Sequence, residues 1–553
     1  MKSWKVKTLI GGSVILVLVA AIYYYIMLPA VNIHSPGFWK FIIFVCAAGT
    51  LIYALFRVRL KTIPVYNQNG RAGNTVSMEY KTPKDKILFR IFLGITIGLV
   101  AVFIIGGILS SEMINASRYQ KLLTVETRSF ENDIKEVSYD QIPILDRESA
   151  ITIGNRVMGT MVDMVSQYEI NHMYSQINYG NKPVRVSPLQ YGSLIKWLTN
   201  NASGIPGYVR IDMTTQNAEI VRLNEGIKYS ESDHFGRNIY RHLRFAYPGY
   251  IFDDISFEVD EEGTPFWICP TRKYNVGLFG GVTIDKVIIC NAITGAMTEY
   301  NVEDVPEWVD KVYSADMLIT LYDYYGTLKR GFFNSILGQR DCLQTTDGYN
   351  YIAMDDDVWV YTGVTSVGQD ESNVGFVLMN QRTMETRYYE IAGAEEYSAM
   401  SSAEGKVQHL GYKATFPLLI NIGGEPTYFM ALKDSAGLVK CYAMLNIEKY
   451  QTVAIGDTVS ECENSYKQMM SQSGIVVTQP KEIKRVTGVI TQIVPVVIDG
   501  NSHYYITLDN QSVIYDVNVK DNPKIITYAI GVPVTLNYSE EPNSNRLLSA
   551  GLE

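Results

Sequence analysis

The stretches "RHLRFAYPGYIFDDISFEVDEEGTPFWICP", residues 241–270, and "QHLGYKATFPLLINIGGEPTYFMAL", residues 408–432, decide how most of this chain is built. Both open on His-Leu, place an aromatic residue two positions later, pass through strand-forming residues and reach a Gly-x-Pro followed by aromatics. The second element is Gly263, Pro265, Phe266 and Trp267 in one copy, and Gly424, Pro426, Tyr428 and Phe429 in the other. Each copy then enters a hairpin, "KVIICNAITGAMTEY" or "KCYAMLNIEKYQTVAIG", with Asn291 or Asn446 near the turn. Such self-similarity marks a repeated supersecondary unit. It predicts that His242 and His409 occupy equivalent places on a helix covering a sheet, with Leu243 and Leu410 directed into the core. Each Gly-x-Pro should lie at a turn or sheet edge, because proline has no N–H to give a central ladder.

Two further hairpins, "YVRIDMTTQNAEIVRL" from Tyr208 and "VGFVLMNQRTMETRYYEI" from Val374, flank a polar turn with alternating apolar residues. That alternation suits sheets with one buried face. A helix, strands, a Gly-x-Pro-aromatic turn and a closing strand into "NAITGAMTEY" together resemble the PepSY-like modules of bacterial envelope proteins, which often end in a D-x-x-T-G turn. Asn291, Thr294 and Gly295 match that turn with Asn in place of Asp, and the second copy keeps only Asn446. The resemblance covers about a third of the chain. It implies an extracytoplasmic binding or regulatory module, sometimes associated with peptidases, and no catalytic residues.

The front of the chain is apolar. Residues 8–30, 38–56 and 91–109 are three stretches long enough to cross a hydrocarbon layer as helices. Lys2, Lys5 and Lys7 precede the first, which reads as a retained anchor because its apolar run exceeds that of a signal peptide. Eight basic residues, Arg57, Arg59, Lys61, Arg71, Lys81, Lys84, Lys86 and Arg90, lie between the second and third. The positive-inside rule puts these and the N-terminus in the cytoplasm, and everything after about Ser110 outside. With 553 residues and a formal charge of −9 despite this basic front, the outer portion is acidic and ill-suited to nucleic acid.

The expected fold is therefore α+β. A three-helix membrane anchor spans 1–111, a mainly helical segment 112–205, a first PepSY-like module 206–310, a helical connector 311–345, and a second module with preceding hairpins 346–475. Within 112–205, "ESAITIGNRVMGTMVDMVSQYEI" has helical spacing, and "SPLQYGSLIKWLTNN" reads as a helix capped by Ser187 with Pro188 at its first position. Residues 481–553 carry about five strands, an Asp499-Gly500 turn and a final "VPVTLNY" strand, compatible with a small OB-like barrel. Tyr504 and Tyr505 are too few for a platform that stacks single-stranded nucleic acid.

No catalytic, cofactor-binding or metal residues are assigned. Ser193 and Lys196 have S-x-x-K spacing, but the S-x-N and K-T-G elements that accompany it in penicillin-recognising enzymes are missing, and "RVTG" at Arg485 lacks the lysine. The six histidines, His34, His172, His234, His242, His409 and His503, show no metal-ligand spacing. "GLFGG" from Gly277 lacks the phosphate-loop lysine and reads as a turn. Cys269, Cys290, Cys342, Cys441 and Cys462 read as buried thiols rather than a disulfide scaffold. Asp355, Asp356 and Asp357 are contiguous, whereas calcium loops spread their ligands over alternate positions, so a hairpin turn is preferred to a cation site. The aromatic and basic segment 322–338 has two readings, an amphipathic stretch on the outer leaflet or a helix packed between modules. The function these features imply is non-enzymatic: an extracytoplasmic envelope protein with the lipid bilayer and an envelope protein as partners. The alternatives are an enzyme with an unfamiliar site and a subunit of a membrane transport complex.

Overall fold

The computed structural model describes residues 2–66, 72–135, 142–354, 356–367, 372–472, 484–498, 501–509, 513–519, 523–539 and 545–552. Asp355 and the Asp499-Gly500 turn lie outside them. The chain divides into two compact units, Met1–Gly474 and Ile475–Glu553.

The first unit begins with three helices, α1 (Lys2–Met27), α2 (Pro36–Arg57) and α3 (Pro83–Leu109). Ser35 and Thr82 cap α2 and α3, each followed by proline, the residue best tolerated at a helix start. Two described helices, α2 and α3, are long and apolar enough to cross a membrane, not the three expected. The stretch expected to span over 8–30 stops being helical after Met27, where Leu28 takes φ +49°, and its described apolar part runs only from Gly11 to Met27. The basic segment joining α2 to α3 contains an antiparallel pair, Val58–Tyr66 with Ala72–Tyr80.

Four antiparallel sheets follow, each a meander in chain order behind a helix. In the first, helix Arg147–Thr160 precedes Ser175–Tyr179, Lys182–Tyr191, Ile205–Asp212 and Ala218–Ile227. In the second, Ile239–Ala246 precedes Ser256–Val259, Pro265–Val276, Gly280–Asn291 and Met297–Asn301. In the third, Ala315–Thr327 precedes Asn350–Met354, Asp357–Ser366, Gly375–Asn380 and Thr386–Tyr389. Here Glu126–Arg128 adds a parallel edge strand. In the fourth, Glu396–Lys406 precedes Leu418–Ile422, Glu425–Lys433, Val439–Asn446 and Val453–Gly456.

The hairpin that closes each meander is built the same way. Asp212 Oδ1 accepts from the N–H of Thr214 and Thr215, and Asn291 Oδ1 from Ile293 and Thr294. Asn380 Oδ1 accepts from Arg382 and Thr383, and Asn446 Oδ1 from Glu448 and Lys449. A short side chain that mimics a backbone carbonyl in this way holds a tight turn closed. Four residues after the first three of these, Gln216, Gly295 and Met384 take positive φ. The sequence shows two copies of this unit; the structure has four.

Both Gly-x-Pro elements lie where expected, at the turn between first and second strands. Gly263 (φ +79°) and Gly424 (φ +85°) take conformations that favour glycine, and Pro265 and Pro426 stand at the start of the next strand. The His-Leu part of the repeat fails. His242 lies in a helix with Leu243 buried, whereas His409 lies in a short 3-10 turn, Gln408–Leu410, with Leu410 exposed.

Residues 112–205 are not mainly helical. Ser187 and Pro188 sit in the strand Lys182–Tyr191, and the helix that follows, Leu194–Asn200, is capped by Ser193. That strand is buried on both faces over most of its length, so it lacks the alternation that identifies a half-buried strand. The helix from Arg147 ends at Thr160, short of the expected run to 170.

Helix Ala315–Thr327 is a helix packed between modules. Leu318, Leu321 and Tyr322 share one core with Ile268, Val287 and Ile289 of the second sheet and Val360, Val377 and Met379 of the third. In the second unit, five strands close into a barrel in the order Lys484–Ile498, Asn501–Leu508, Ile514–Asn518, Asn545–Leu552, Pro533–Ser539. The long first strand pairs with Asn501–Leu508 through its second half and with Pro533–Ser539 through its first. Ile490, Ile506, Tyr515, Val517, Val534 and Leu536 fill the interior.

Candidate functional site

The carboxylates that stand out in the sequence meet others at a junction of the first three sheets. Asp357 begins a strand, and its carboxylate accepts two bonds from Arg382, from Nε at 2.6 Å and Nη2 at 2.9 Å, and one from Asn380 Nδ2 at 2.7 Å. Asp356 occupies the turn with φ +65° and accepts from Asn178 Nδ2 of the first sheet at 2.7 Å. The backbone N–H of Asn178 donates to Asp310 Oδ2 at 2.7 Å. The N–H groups of Asp310 and Lys311 in turn donate to Glu258 in the second sheet, at 2.9 and 3.2 Å, and Ser256 Oγ donates to it at 3.0 Å.

Glu258 and Asp310 are almost wholly buried. Burial raises both carboxyls above their ordinary range, and the Glu258 charge raises Asp310 further. Asp310 Oδ1 has no partner. A guanidinium already takes both oxygens of Asp357 within the third sheet, backbone N–H groups take those of Glu258, and Asn178 links the first sheet to Asp356 and Asp310, so these oxygens are engaged in holding the fold. Among the described residues, no group of three or more His, Cys, Asp or Glu side chains is placed to hold a metal ion.

The remaining candidates are likewise engaged in the fold. Ser193 Oγ accepts the N–H of Lys196 as a helix cap. His242 Nε2 lies 2.8 Å from the Gly295 carbonyl and its ring packs on Tyr229, so it secures the hairpin of its own sheet. His34 Nδ1 lies 2.9 Å from the Leu278 carbonyl, and His503 Nδ1 lies 2.7 Å from Asp516 Oδ1 in the barrel. Cys269, Cys290, Cys342, Cys441 and Cys462 are buried free thiols. Burial raises the pKa of each, which disfavours the reactive thiolate.

"GLFGG" is a turn, and it plugs against the apolar helices α2 and α3. Gly277 and Gly281, both at positive φ, flank the tip of the longest hairpin of the second sheet. At that tip the N–H groups of Leu278 and Phe279 donate to Ser110 Oγ at 2.8 and 3.1 Å. Phe279 packs on Phe103 and Trp39, and Leu278 lies against Gly106, where an added Cβ would come within 2.8 Å of its Cδ1. The turn after α1 grips the same sheet's helix. Arg244 Nε donates to the Leu28 carbonyl at 2.9 Å, Val31 N–H to that of Pro248 at 2.7 Å, and Asn32 Nδ2 to that of Gly249 at 2.9 Å. Sequence reasoning missed this collar. Its one signal was the Leu-Phe pair between the glycines of the turn.

One cavity borders the collar, and another lies toward the opposite ends of α2 and α3. The first, of about 400 Å³, is lined by Tyr119, Asp253, Asp254, Arg272, Asp316 and Tyr324. Arg272 neutralises Asp253 through bonds of 2.9 and 2.7 Å, and Asp316 lies in the first turn of its helix, where the dipole favours a negative charge. Ser314 Oγ accepts the Met317 N–H as the cap of that helix. The other, of about 530 Å³, lies among α1, α2 and α3 and is lined by apolar side chains such as Leu16, Phe92 and Ile95. No protein-family model matches the chain, and no curated protein matches it.

Proposed function

We propose that the protein is a non-enzymatic binding or regulatory protein of a bacterial cell envelope, anchored in the membrane with its four sheets and its OB-like barrel outside the cytoplasm. The sheets are read as PepSY-like modules, and an envelope protein is their partner. The observation that carries this reading is an apolar surface on the first module. Leu194, Ile195 and Leu198 are 58%, 74% and 60% exposed, and Phe235, packed on Trp197 of the same helix, is 67% exposed. Clustered side chains of this size facing water support a docking role. The engagement of the junction carboxylates and histidines in structural bonds supports the same view.

A photo-crosslinking amino acid at Leu198 in intact cells tests it. A discrete adduct with one envelope protein, absent when the label is placed at exposed Glu262, is expected. Equal labelling at both positions, or turnover of a substrate by the purified chain that Asp254→Asn or Asp316→Asn abolishes, would contradict it. A second reading, an accessory subunit of a membrane transport complex, is favoured by the apolar groove among the helices. It predicts copurification with a polytopic protein that Gly49→Leu disrupts.

A further inference from the structure

Beyond the helix Ala315–Thr327 the chain forms two short turns, Leu328–Arg330 and Asn334–Gly338. The inner side is anchored close to the end of α3. Leu328 is buried against Tyr119 and Val276, Phe332 packs on the same cluster, and the Tyr119 hydroxyl donates to the carbonyl of Ser110, the residue after α3. The outer side carries Phe333, Ile336 and Leu337, which are 66%, 56% and 81% exposed. Asn334 fixes this turn by donating to the Arg340 carbonyl at 2.9 Å, and Gly331 and Gln339 at its two ends take positive φ. The apolar side chains are therefore displayed by a preformed turn.

We propose that residues 328–340, together with the start of the helix Glu112–Gln120 (α4), form a foot that rests in the outer headgroup layer of the bilayer crossed by α2 and α3. The occupant of this surface is an anionic lipid surface. The inference rests on the membrane-anchored reading. Three observations support it. The foot is continuous with the membrane segment, since α4 starts three residues after α3 ends, and its Met113 and Ile114 are about half exposed. The level of the interface is marked by Trp39 beside Phe279, and tryptophan favours the boundary between headgroups and hydrocarbon. The charge is complementary: Lys329, Arg330 and Arg340 stand against two carboxylates, Asp341, which pairs with Arg330, and Glu112 at the start of α4, so the foot keeps an excess of positive charge in a chain whose net charge is −9. Apolar side chains inserted to the acyl boundary with basic residues beside them are the pattern of an interfacial segment.

The test uses the full chain in nanodiscs containing phosphatidylglycerol, with Cys46→Ser and one nitroxide-labelled cysteine at a time. Accessibility to oxygen, which partitions into lipid, is compared with accessibility to a water-soluble nickel complex. The labels replace Phe333, Leu337, Ile195 as the water reference and Ile104 in α3 as the lipid reference. The expected oxygen-to-nickel ratio at Phe333→Cys and Leu337→Cys is at least about threefold that at Ile195→Cys, and falls when the lipid is phosphatidylcholine alone. Ratios at both foot positions equal to that at Ile195, with Ile104 in lipid, would overturn the foot and leave the anchor standing. A water-like ratio at Ile104 itself would overturn the anchored reading and the foot with it.

Discussion

Asp356 and Asp357 are adjacent yet do different work. Asp356 sits in a left-handed turn and accepts one bond from Asn178, and Asn can supply both the conformation and the accepting oxygen. Asp357 carries a buried bidentate bond to Arg382, and its removal leaves a guanidinium that is mostly shielded from water and unpaired. Asp357→Ala should therefore cost about 3 kcal/mol of stability and Asp356→Asn less than about 0.5 kcal/mol. Chemical denaturation of the purified chain measures both. The Glu258 carboxyl, pushed up to about 7 by burial, works in the opposite sense to a salt-bridged acid. Between the ordinary carboxylate range and about pH 7 the folded form retains a proton that the unfolded chain has lost, so stability falls as pH rises through that window. Asp310 adds to the same slope, while Asp133 and Asp146, whose pKa values are lowered, lose their contribution only in more acidic solution. The melting temperature should rise from pH 7.5 to pH 5.5, and Glu258→Gln should flatten that rise.

At the level of elements, helix Ala315–Thr327 joins the second and third sheets through one core. Leu318 is fully buried there, and Leu318→Ala should cost about 3 kcal/mol, seen as a lower denaturation midpoint. The collar makes a separate prediction. Ser110→Ala removes the acceptor of two backbone N–H groups at the hairpin tip, so hydrogen exchange at Leu278 and Phe279 should quicken while the central strands keep their protection.

What the sequence revealed of these elements follows their chemistry. Gly263, Pro265, Gly424 and Pro426 were legible because a turn needs a glycine at positive φ and excludes proline from a central ladder. The His-Leu pair misled because two residues carry little pattern, and Leu410 faces water where Leu243 is buried. Ser187-Pro188 imitated a helix start because its strand is buried on both faces and does not alternate. The Glu258–Asp310 contact joins residues 52 apart, and no local periodicity announces it.

For the whole molecule, the collar and the modules make sense together if α2 and α3 cross a bilayer and the sheets stand beyond its outer face. Leu278 and Phe279 of the second sheet reach Gly106, Phe103 and Trp39, which places that sheet at the same end of the helices as Ser110 and the turn after α1. The paired strands between α2 and α3 lie at the other end. The most direct test labels single cysteines with a membrane-impermeant maleimide in intact cells, in a Cys46→Ser background. Glu262→Cys in the first turn of the second sheet and Met78→Cys on the strand Ala72–Tyr80 are both exposed positions. The account predicts that Glu262→Cys is labelled in intact cells and Met78→Cys only after permeabilisation; the reverse order, or labelling of both before permeabilisation, would contradict it.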